Sequence, residues 1–166
     1  MRVYGVTGSK NCGKTGLMER LVTEIAARGL TVSTVKHAHH STDVDQPGTD
    51  SFRHRAAGAR QVMLASPNRW ALMTELRGEA EPPLEALLAQ LAPVDLVLIE
   101  GYKTGPHPKI EAHRAETGKA LLAGDNPTIK AVAADSAVDT TLPRFDLNNT
   151  RAVADFILED LALGPA

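Results

Sequence analysis

The stretch GSKNCGKTG at residues 8–16 decides the fold of this 166-residue chain. Its first eight residues match G-x-x-x-x-G-K-[ST], a loop whose backbone N–H groups surround phosphate oxygens. Glycines allow the bends that such a loop needs, and the helix that follows directs its positive dipole end at the same anion. We predict that nucleotide phosphates are bound by the whole stretch, namely Gly8, Ser9, Lys10, Asn11, Cys12, Gly13, Lys14, Thr15 and Gly16.

Two residues of this loop have distinct predicted roles. The Lys14 ammonium would bridge the β- and γ-phosphates as a catalytic group, and the Thr15 hydroxyl would ligate Mg²⁺. Because the bare pattern occurs by chance in many chains, its context matters. Residues 2–7 (RVYGVT) are typical of a strand, and 14–28 carry apolar residues at helical spacing. This context favours nucleotide binding over a glycine-rich turn that binds nothing.

The rest of the chain predicts an α/β fold. A strand at 30–36 completes a βαβ unit, which implies parallel pairing. Further strands are predicted at 61–65 and 70–74 as a hairpin, at 94–99, at 109–114 as an edge strand, and at 129–133. Helices are predicted at 51–57, 83–91 and 150–162, the last capped by Asn148 or Asn149. We predict a single P-loop nucleotide-binding domain over residues 1–166, with a mostly parallel sheet flanked by helices and a β-hairpin insertion.

Composition narrows the class of protein. Eighteen Lys and Arg against 20 Asp and Glu give a net charge of −2, which argues against a nucleic-acid or membrane partner. The single cysteine favours a reducing compartment. A signal peptide and an 18-residue apolar run are both missing from the sequence. We expect a cytoplasmic protein.

A second acidic element should lie across from the loop. Glu100 follows the apolar run VDLVLI at 94–99, and Gly101 permits a sharp turn there. We predict that Glu100 holds or polarises a magnesium-bound water, as a catalytic and metal-site residue. The alternative is an ordinary polar residue at a strand end. Asp95, at the start of that strand, is less suited to reach the metal.

The sequence gives weaker signals for recognition of the nucleotide base. The Asn-Lys-x-Asp quartet of many GTPases is missing. Asp135 follows the strand at 129–133, and its carboxylate could accept hydrogen bonds from guanine. A turn aspartate or a helix cap is the competing interpretation.

A polar segment after the second strand concentrates histidines and aspartates: His37, His39, His40, Asp43, Asp45 and Asp50. Loops at the carboxyl ends of parallel strands line the ligand crevice of such folds. Three interpretations stay open: a nucleotide-responsive loop in which an aspartate, here Asp45, reaches Mg²⁺; a Zn²⁺ or Ni²⁺ site; or a solvated loop. Basic residues that we expect at the same mouth, or scattered over the surface, are Arg53, His54, Arg55, Lys103, His107, Lys109 and Arg114.

Five segments resemble the molybdopterin-guanine dinucleotide biosynthesis adapter family of MobB type. They are GSKNCGKT at 8–15, VKHAHHSTDVDQPGTDSFRHRAAGA at 35–59, RWALMTE at 69–75, LVLIEGYK at 96–103 and DFILEDL at 155–161. The resemblance covers nearly the whole chain, and its second segment is long and unusual.

The resemblance implies a P-loop protein that binds GTP and Mg²⁺ and has weak GTPase activity at most. It implies a homodimer and a MobA-type guanylyltransferase as partner, and leaves open whether molybdopterin itself contacts this chain. By position, Gly13, Lys14 and Thr15 would hold phosphate and Mg²⁺, and Glu100 would be the acidic residue at the strand end.

Two other classes of function compete with this interpretation. A metal-insertion GTPase would use His37, His39 and His40 as nickel or zinc ligands. A small-molecule kinase would need an arginine-rich lid, for which residues 103–124 are a poor candidate. Trp70 and Met73 are expected in the core or in a subunit contact, and we place the dimer contact on the strand pair at 61–74.

Overall fold

A computed structural model describes residues 1–38 and 43–164 of the chain. In chain order its elements are β1 (Arg2–Thr7), α1 (Lys14–Ala27), β2 (Val32–Lys36), α2 (Asp50–Ala56), β3 (Gln61–Ala65), β4 (Trp70–Thr74), α3 (Leu84–Leu88), β5 (Leu96–Glu100), β6 (Lys109–His113), β7 (Ile129–Ala134), β8 (Arg144–Asp146) and α4 (Thr150–Asp160). Within the described residues, no helix is long and apolar enough to cross a membrane.

Contacts divide the chain into two compact units. The first, here the sheet unit, comprises Met1–Ala38 and Ala92–Ala166, and the second, here the hairpin unit, comprises His39–Leu91. The single domain over residues 1–166 stays a prediction.

The sheet unit contains a six-stranded sheet in the order β2-β5-β1-β6-β7-β8, in which every neighbouring pair is parallel. The predicted parallel βαβ unit is confirmed, with β5 inserted between β1 and β2. Since all six strands run the same way, their carboxyl ends share one edge of the sheet. The loop at residues 8–13, Glu100, Arg114 and Asp135 all follow or end strands at that edge.

The core of this unit forms where the sheet meets α1 and α4. Side chains of β5 are buried because the strand lies inside the sheet. Both helices bury one face, lined by Leu17, Leu21, Ile25, Val153 and Ile157. Asn149 caps α4 by accepting a hydrogen bond from the N–H of Ala152 at 3.2 Å, which settles the choice left between Asn148 and Asn149.

The prediction of an edge strand at 109–114 is wrong. β6 lies between β1 and β7, and all five of its residues are buried. Its polar residues find partners there: the Glu111 carboxylate accepts hydrogen bonds from the N–H groups of Leu122 and Ala123 at 2.8 and 2.9 Å. The true edge strand on this side is the three-residue β8, which the sequence did not predict.

The hairpin unit contains the predicted antiparallel pair of β3 and β4, with Met63 opposite Leu72 and Ala65 opposite Trp70. Trp70 is 66% exposed, so of the two places expected for it the core is excluded, and the subunit contact stays a prediction. Met63, Leu64 and Leu72 are also exposed, which gives the hairpin an apolar surface.

Candidate functional site

The loop at residues 8–13 has a backbone that only glycine can adopt at two points. Gly8 has φ 140°, and a Cβ there would lie 2.3 Å from the Ala112 carbonyl oxygen. Gly13 has φ 90°, and a Cβ there would lie 3.0 Å from the Arg114 Nε. Cys12 is fully buried, and its Sγ lies so close to Gly8 that a Cβ there would be 2.5 Å from it.

Lys14 begins α1 and folds back over this loop. Its Nζ donates to the carbonyl oxygens of Gly8 at 3.2 Å and Ser9 at 2.6 Å, and lies 3.6 Å from the Cys12 Sγ. All three partners are neutral, so none of them compensates the positive charge of the ammonium. The N–H groups in the first turn of α1 point toward the loop, as at any helix N-terminus, and Gly13 has no side chain that could cap them.

Thr15 and Glu100 meet at the carboxyl edge of the sheet. The Thr15 hydroxyl donates to the two carboxylate oxygens of Glu100, at 3.2 and 3.5 Å. The Nζ of Lys36, at the end of β2, lies 3.5 Å from the same carboxylate. Glu100 is only 9% exposed, yet a hydroxyl and an ammonium compensate the burial of its charge.

The pairing of strands explains this meeting. Parallel register places Val6 and Lys36 opposite Glu100 on its two neighbouring strands. The loop that leaves β1 after Thr7 and returns as α1 then carries Thr15 over the end of β5. The structure thus brings together three residues predicted from sequence, Lys14, Thr15 and Glu100, around one cleft.

This cleft has a volume of about 460 Å³. It is lined by Lys10, Asn11, Cys12, Gly13, Lys14, Thr15, Gly16, Glu100 and Arg114. Arg114 was expected only as one of several basic residues near the mouth. Nothing in its local sequence signals the contact, which arises because β6 neighbours β1 in the sheet.

Asp135 lies in a second cleft at the same sheet edge. This cleft has a volume of about 310 Å³ and is lined by residues 134–137 and 144–146. Asp135 Oδ1 accepts a hydrogen bond from the N–H of Ala115 at 3.0 Å. The side chain is exposed and lines the cleft, which lies where β7 and β8 end.

The segment after Glu100 packs against the end of β2. Gly101 has φ 102°, and a Cβ there would lie 2.9 Å from the Cβ of His37. The rings of His37 and Tyr102 lie 4.5 Å apart. His37 therefore contacts the turn that follows the acidic residue, whereas His39 and His40 lie outside the described residues.

The expectation that Lys109 contributes charge to the mouth of the site is wrong. Lys109 is fully buried, and its Nζ donates to the carbonyl oxygens of Gly105 and His107 and to the Thr128 hydroxyl. Burial lowers the pKa of this ammonium. The residue therefore ties the segment after Tyr102 to the start of β6.

The aspartates of the polar segment belong to a network inside the hairpin unit. Arg55 contacts Asp43 at 2.8 Å, Asp45 at 3.3 Å and Glu75 at 2.7 Å. Hydrogen bonding to Arg55 lowers the pKa of Asp43, and hydrogen bonding to Asp43 and then Glu75 raises the pKa of Arg55.

Asp45 itself is well supplied with donors, since its Oδ1 accepts from Thr49, Ser51 and the N–H of Gln46. Asp50 is exposed and lies 3.8 Å from Arg53. The magnesium role of Asp45 stays a prediction. Among residues 1–38 and 43–164, no three His, Cys, Asp or Glu side chains gather as a metal site.

Comparison with known proteins identifies the family to which the chain belongs. A family model described as Molybdopterin guanine dinucleotide synthesis protein B matches residues 3–135. The chain belongs to this family, called MobB below. Its resemblance to MobB proteins, predicted from five segments, is confirmed.

Two relatives bear the name "Molybdopterin-guanine dinucleotide biosynthesis adapter protein". That of Haemophilus influenzae is 41% identical over 93% of this chain and 86% of its own length. That of Escherichia coli is 40% identical over 89% of this chain and 86% of its own length. The MobB chain is thus similar to adapter proteins along most of its length.

Solved MobB structures share the fold. The MobB protein homolog from Bacillus stearothermophilus superposes with a TM-score of 0.74 at 28% identity, over 99% of this chain and all (100%) of that one. Bacillus subtilis MobB gives a TM-score of 0.77 at 26% identity, over 97% and 98%. The predicted α/β fold with a mostly parallel, helix-flanked sheet and a hairpin insertion is confirmed.

Proposed function

We propose that this MobB chain is a GTP-binding adapter of molybdopterin guanine dinucleotide biosynthesis that assists a MobA-type guanylyltransferase. Family membership and the names of its relatives support the biosynthetic role. The observation that carries the nucleotide role is the contact of Thr15 with Glu100 beside the Lys14 loop.

Lys14 and α1 supply the phosphate site in this proposal. The ammonium exchanges its neutral carbonyl partners for phosphate oxygens, with which hydrogen bonds are charge-assisted and about twice as strong. The N–H groups at the start of α1 point at the same anion. Binding therefore needs little rearrangement of the loop backbone.

Thr15 and Glu100 fit a magnesium ion. Octahedral Mg²⁺ binds oxygens at about 2.0–2.1 Å, so neighbouring ligands lie about 3 Å apart. The hydroxyl and the nearer carboxylate oxygen are 3.2 Å apart, close to that separation. When bound, Mg²⁺ neutralises charge on the phosphates, while Thr15 and Glu100 fix its position directly or through water.

Asp135 supports guanine as the base. Its fixed Oδ1 and exposed Oδ2 orient a carboxylate at the second cleft, and a carboxylate can accept both from N1–H and from the 2-amino group of guanine. Adenine offers no such pair of donors. We propose GTP rather than ATP as the ligand on this basis.

We propose that turnover of the bound nucleotide is slow. Rapid hydrolysis in P-loop GTPases depends on an arginine or glutamine aimed at the transition state. Glu100 is engaged by Thr15 and Lys36, a placement that suits holding a metal rather than activating water. In this proposal the bound nucleotide is used in the reaction of the partner enzyme. We further propose that the chain is a homodimer and that it acts in the cytoplasm.

The direct test is GTP binding by isothermal titration calorimetry with Lys14→Ala. We expect a loss of affinity of at least about 100-fold, since two or more charge-assisted hydrogen bonds disappear. The melting temperature should stay the same, because the hydrogen bonds that Lys14 makes within the described residues all go to atoms of its own loop. Lys130→Ala removes a comparable lysine that donates to a carbonyl, that of Pro127, and is the control.

Unchanged GTP affinity in Lys14→Ala would refute the assigned site. The adapter role has a separate test, in which the purified chain is mixed with the guanylyltransferase and analysed by size-exclusion chromatography. Co-elution that depends on GTP supports the proposal, and independent elution under all nucleotide conditions contradicts it.

A further inference from the structure

Arg114 stands at a rigid position beside the phosphate loop. It follows β6, which lies inside the sheet and is buried throughout. Its own carbonyl oxygen accepts from the N–H of Thr117 at 3.1 Å and from the Thr117 hydroxyl at 2.8 Å. Strand and turn together fix the backbone from which the side chain projects into the cleft.

The guanidinium of Arg114 has N–H donors that are free or only weakly engaged within the described residues. It packs against Gly13, where a Cβ would lie 3.0 Å from Nε and 3.5 Å from Nη2. Its Nε is buried and has no hydrogen-bond partner within the part of the chain that the structure describes. Nη1 makes a long 3.4 Å contact with Glu116, whose side chain is 69% exposed, and such a contact contributes little.

Arg114 also lies between the two clefts. Glu100 ends β5, Thr15 lies at the start of the helix that follows β1, and Asp135 follows β7. In the strand order β5-β1-β6-β7 the end of β6 therefore lies between the two clefts. The residue after Arg114 is tied to the base cleft, because the N–H of Ala115 donates to Asp135. With strands about 4.8 Å apart, β1 and β7 are separated by about 10 Å, a distance that a nucleotide can span.

We propose that Arg114 binds the phosphate chain on its nucleoside side, at a phosphate that GTP and GDP share. This inference rests on the proposed function, which places the metal at Thr15 and Glu100 and the base at Asp135. A nucleotide in that orientation crosses the end of β6, where the spare donors of Arg114 meet it. Arg114 is then a binding residue that contributes equally to the affinity for GTP and for GDP. Thr15 and Glu100, in contrast, face the terminal phosphate of GTP.

The test is titration of GTP and of GDP into wild type, Arg114→Met and Arg114→Lys. Methionine keeps much of the stem that packs on Gly13 and removes the donors. We expect Arg114→Met to weaken GTP and GDP by the same factor, roughly 10- to 100-fold, as for a lost hydrogen bond to a charged group. Arg114→Lys should recover part of the affinity for both ligands.

A matched control and thermal melts keep the result interpretable. Arg60→Met removes an arginine that pairs with an exposed glutamate, Glu79, and should leave both affinities unchanged. Unchanged melting of Arg114→Met separates lost binding from lost folding, and if that variant unfolds, Arg114→Lys carries the comparison.

Three outcomes overturn the inference, and they differ. Wild-type affinity in Arg114→Met would show that the guanidinium does not bind the nucleotide. A loss confined to GTP would place it on the terminal phosphate instead. If wild type itself binds neither nucleotide, the proposed function fails and this inference fails with it.

Discussion

Thr15 and Glu100 are 85 positions apart in sequence and hydrogen-bonded in the structure. Parallel pairing of β1 with β5 sets Val6 opposite Glu100, so the carboxylate stands at the edge where the loop leaves the sheet. A carboxylate in this place would be costly without partners, because burial penalises its charge. The hydroxyl and Lys36 supply those partners, and Glu100 also lines the cleft.

Asp95, just before the start of β5, has a structural role as a hydrogen-bond partner of Thr31. Its Oδ2 accepts from the N–H and the hydroxyl of Thr31 at 2.7 and 2.6 Å, and its own N–H donates back to that hydroxyl at 2.9 Å. Hydrogen bonding to the Thr31 hydroxyl, and then to its N–H, lowers the pKa of Asp95 below the usual 3.8. This clasp joins the segments that lead into β2 and β5.

The clasp predicts a pH dependence of stability. Because the folded-state pKa is lowered, the stabilisation is complete above the unfolded-state value of 3.8 and is lost as the pH falls through the folded-state value. Between about pH 5 and about pH 2, the free energy of unfolding of wild type should fall more steeply than that of Asp95→Asn. Urea denaturation at each pH measures this, with Asp139→Asn as the control for charge. Parallel curves for wild type and Asp95→Asn would contradict the prediction.

Residues fixed by a motif were predictable, and residues fixed by tertiary contacts were not. Gly8, Gly13, Lys14 and Thr15 follow from the backbone and charge that phosphate binding demands. Lys109 looked like a surface cation because charged side chains are seldom buried. Its burial depends on three acceptors from loops on either side of it, and sequence spacing gives no sign of them.

At the scale of elements, the alternation of apolar and polar residues in β6 led to the wrong prediction of an edge strand. Lys109, Glu111 and His113 alternate with Ile110 and Ala112, the pattern of a strand with one solvated face. The sheet instead buries both faces and satisfies Glu111 with two backbone N–H groups. β8 escaped prediction because three residues are too few to show a period. β5 was predictable because its first four residues, 96–99, are all apolar and buried.

Helix α4 offers a test of one capping interaction. Asn149 accepts from the N–H of Ala152, and replacing such a cap by alanine costs about 1 kcal/mol. We therefore expect Asn149→Ala to lower the melting temperature by several degrees. The neighbouring Asn148→Ala is the control, since its backbone N–H still donates to Asp146. Equal melting of the two variants would show that Asn149 does not cap α4 in solution.

At the scale of the whole molecule, the hairpin unit carries an apolar surface. Met63 and Trp70, 62% and 66% exposed, lie on the same face because their partners in the register are Leu72 and Ala65. Exposed apolar patches of this kind mark sites of association with other proteins. The homodimer predicted from the sequence would bury this surface.

Trp70→Glu tests that dimer. A carboxylate on the apolar face should dissociate it, because an unpaired charge would be buried at the contact. Light scattering should give the mass of a dimer for wild type and of a monomer for the variant. Asn68→Glu adds the same charge in the adjoining turn and should leave the mass unchanged. A dimer that persists in Trp70→Glu would place the contact elsewhere.

The account as a whole depends on Thr15 and Glu100 as the magnesium side of a nucleotide site. The most direct measurement is the affinity for GTP by calorimetry with and without Mg²⁺, for wild type, Thr15→Val and Thr23→Val. Thr23 lies on the same helix and its hydroxyl donates to the Glu19 carbonyl, so its variant controls for the loss of a hydroxyl. We predict that Mg²⁺ raises the affinity at least about 10-fold in wild type and Thr23→Val and has little effect in Thr15→Val, since Thr15 is the predicted magnesium ligand. An equal effect of Mg²⁺ in all three proteins would contradict the account.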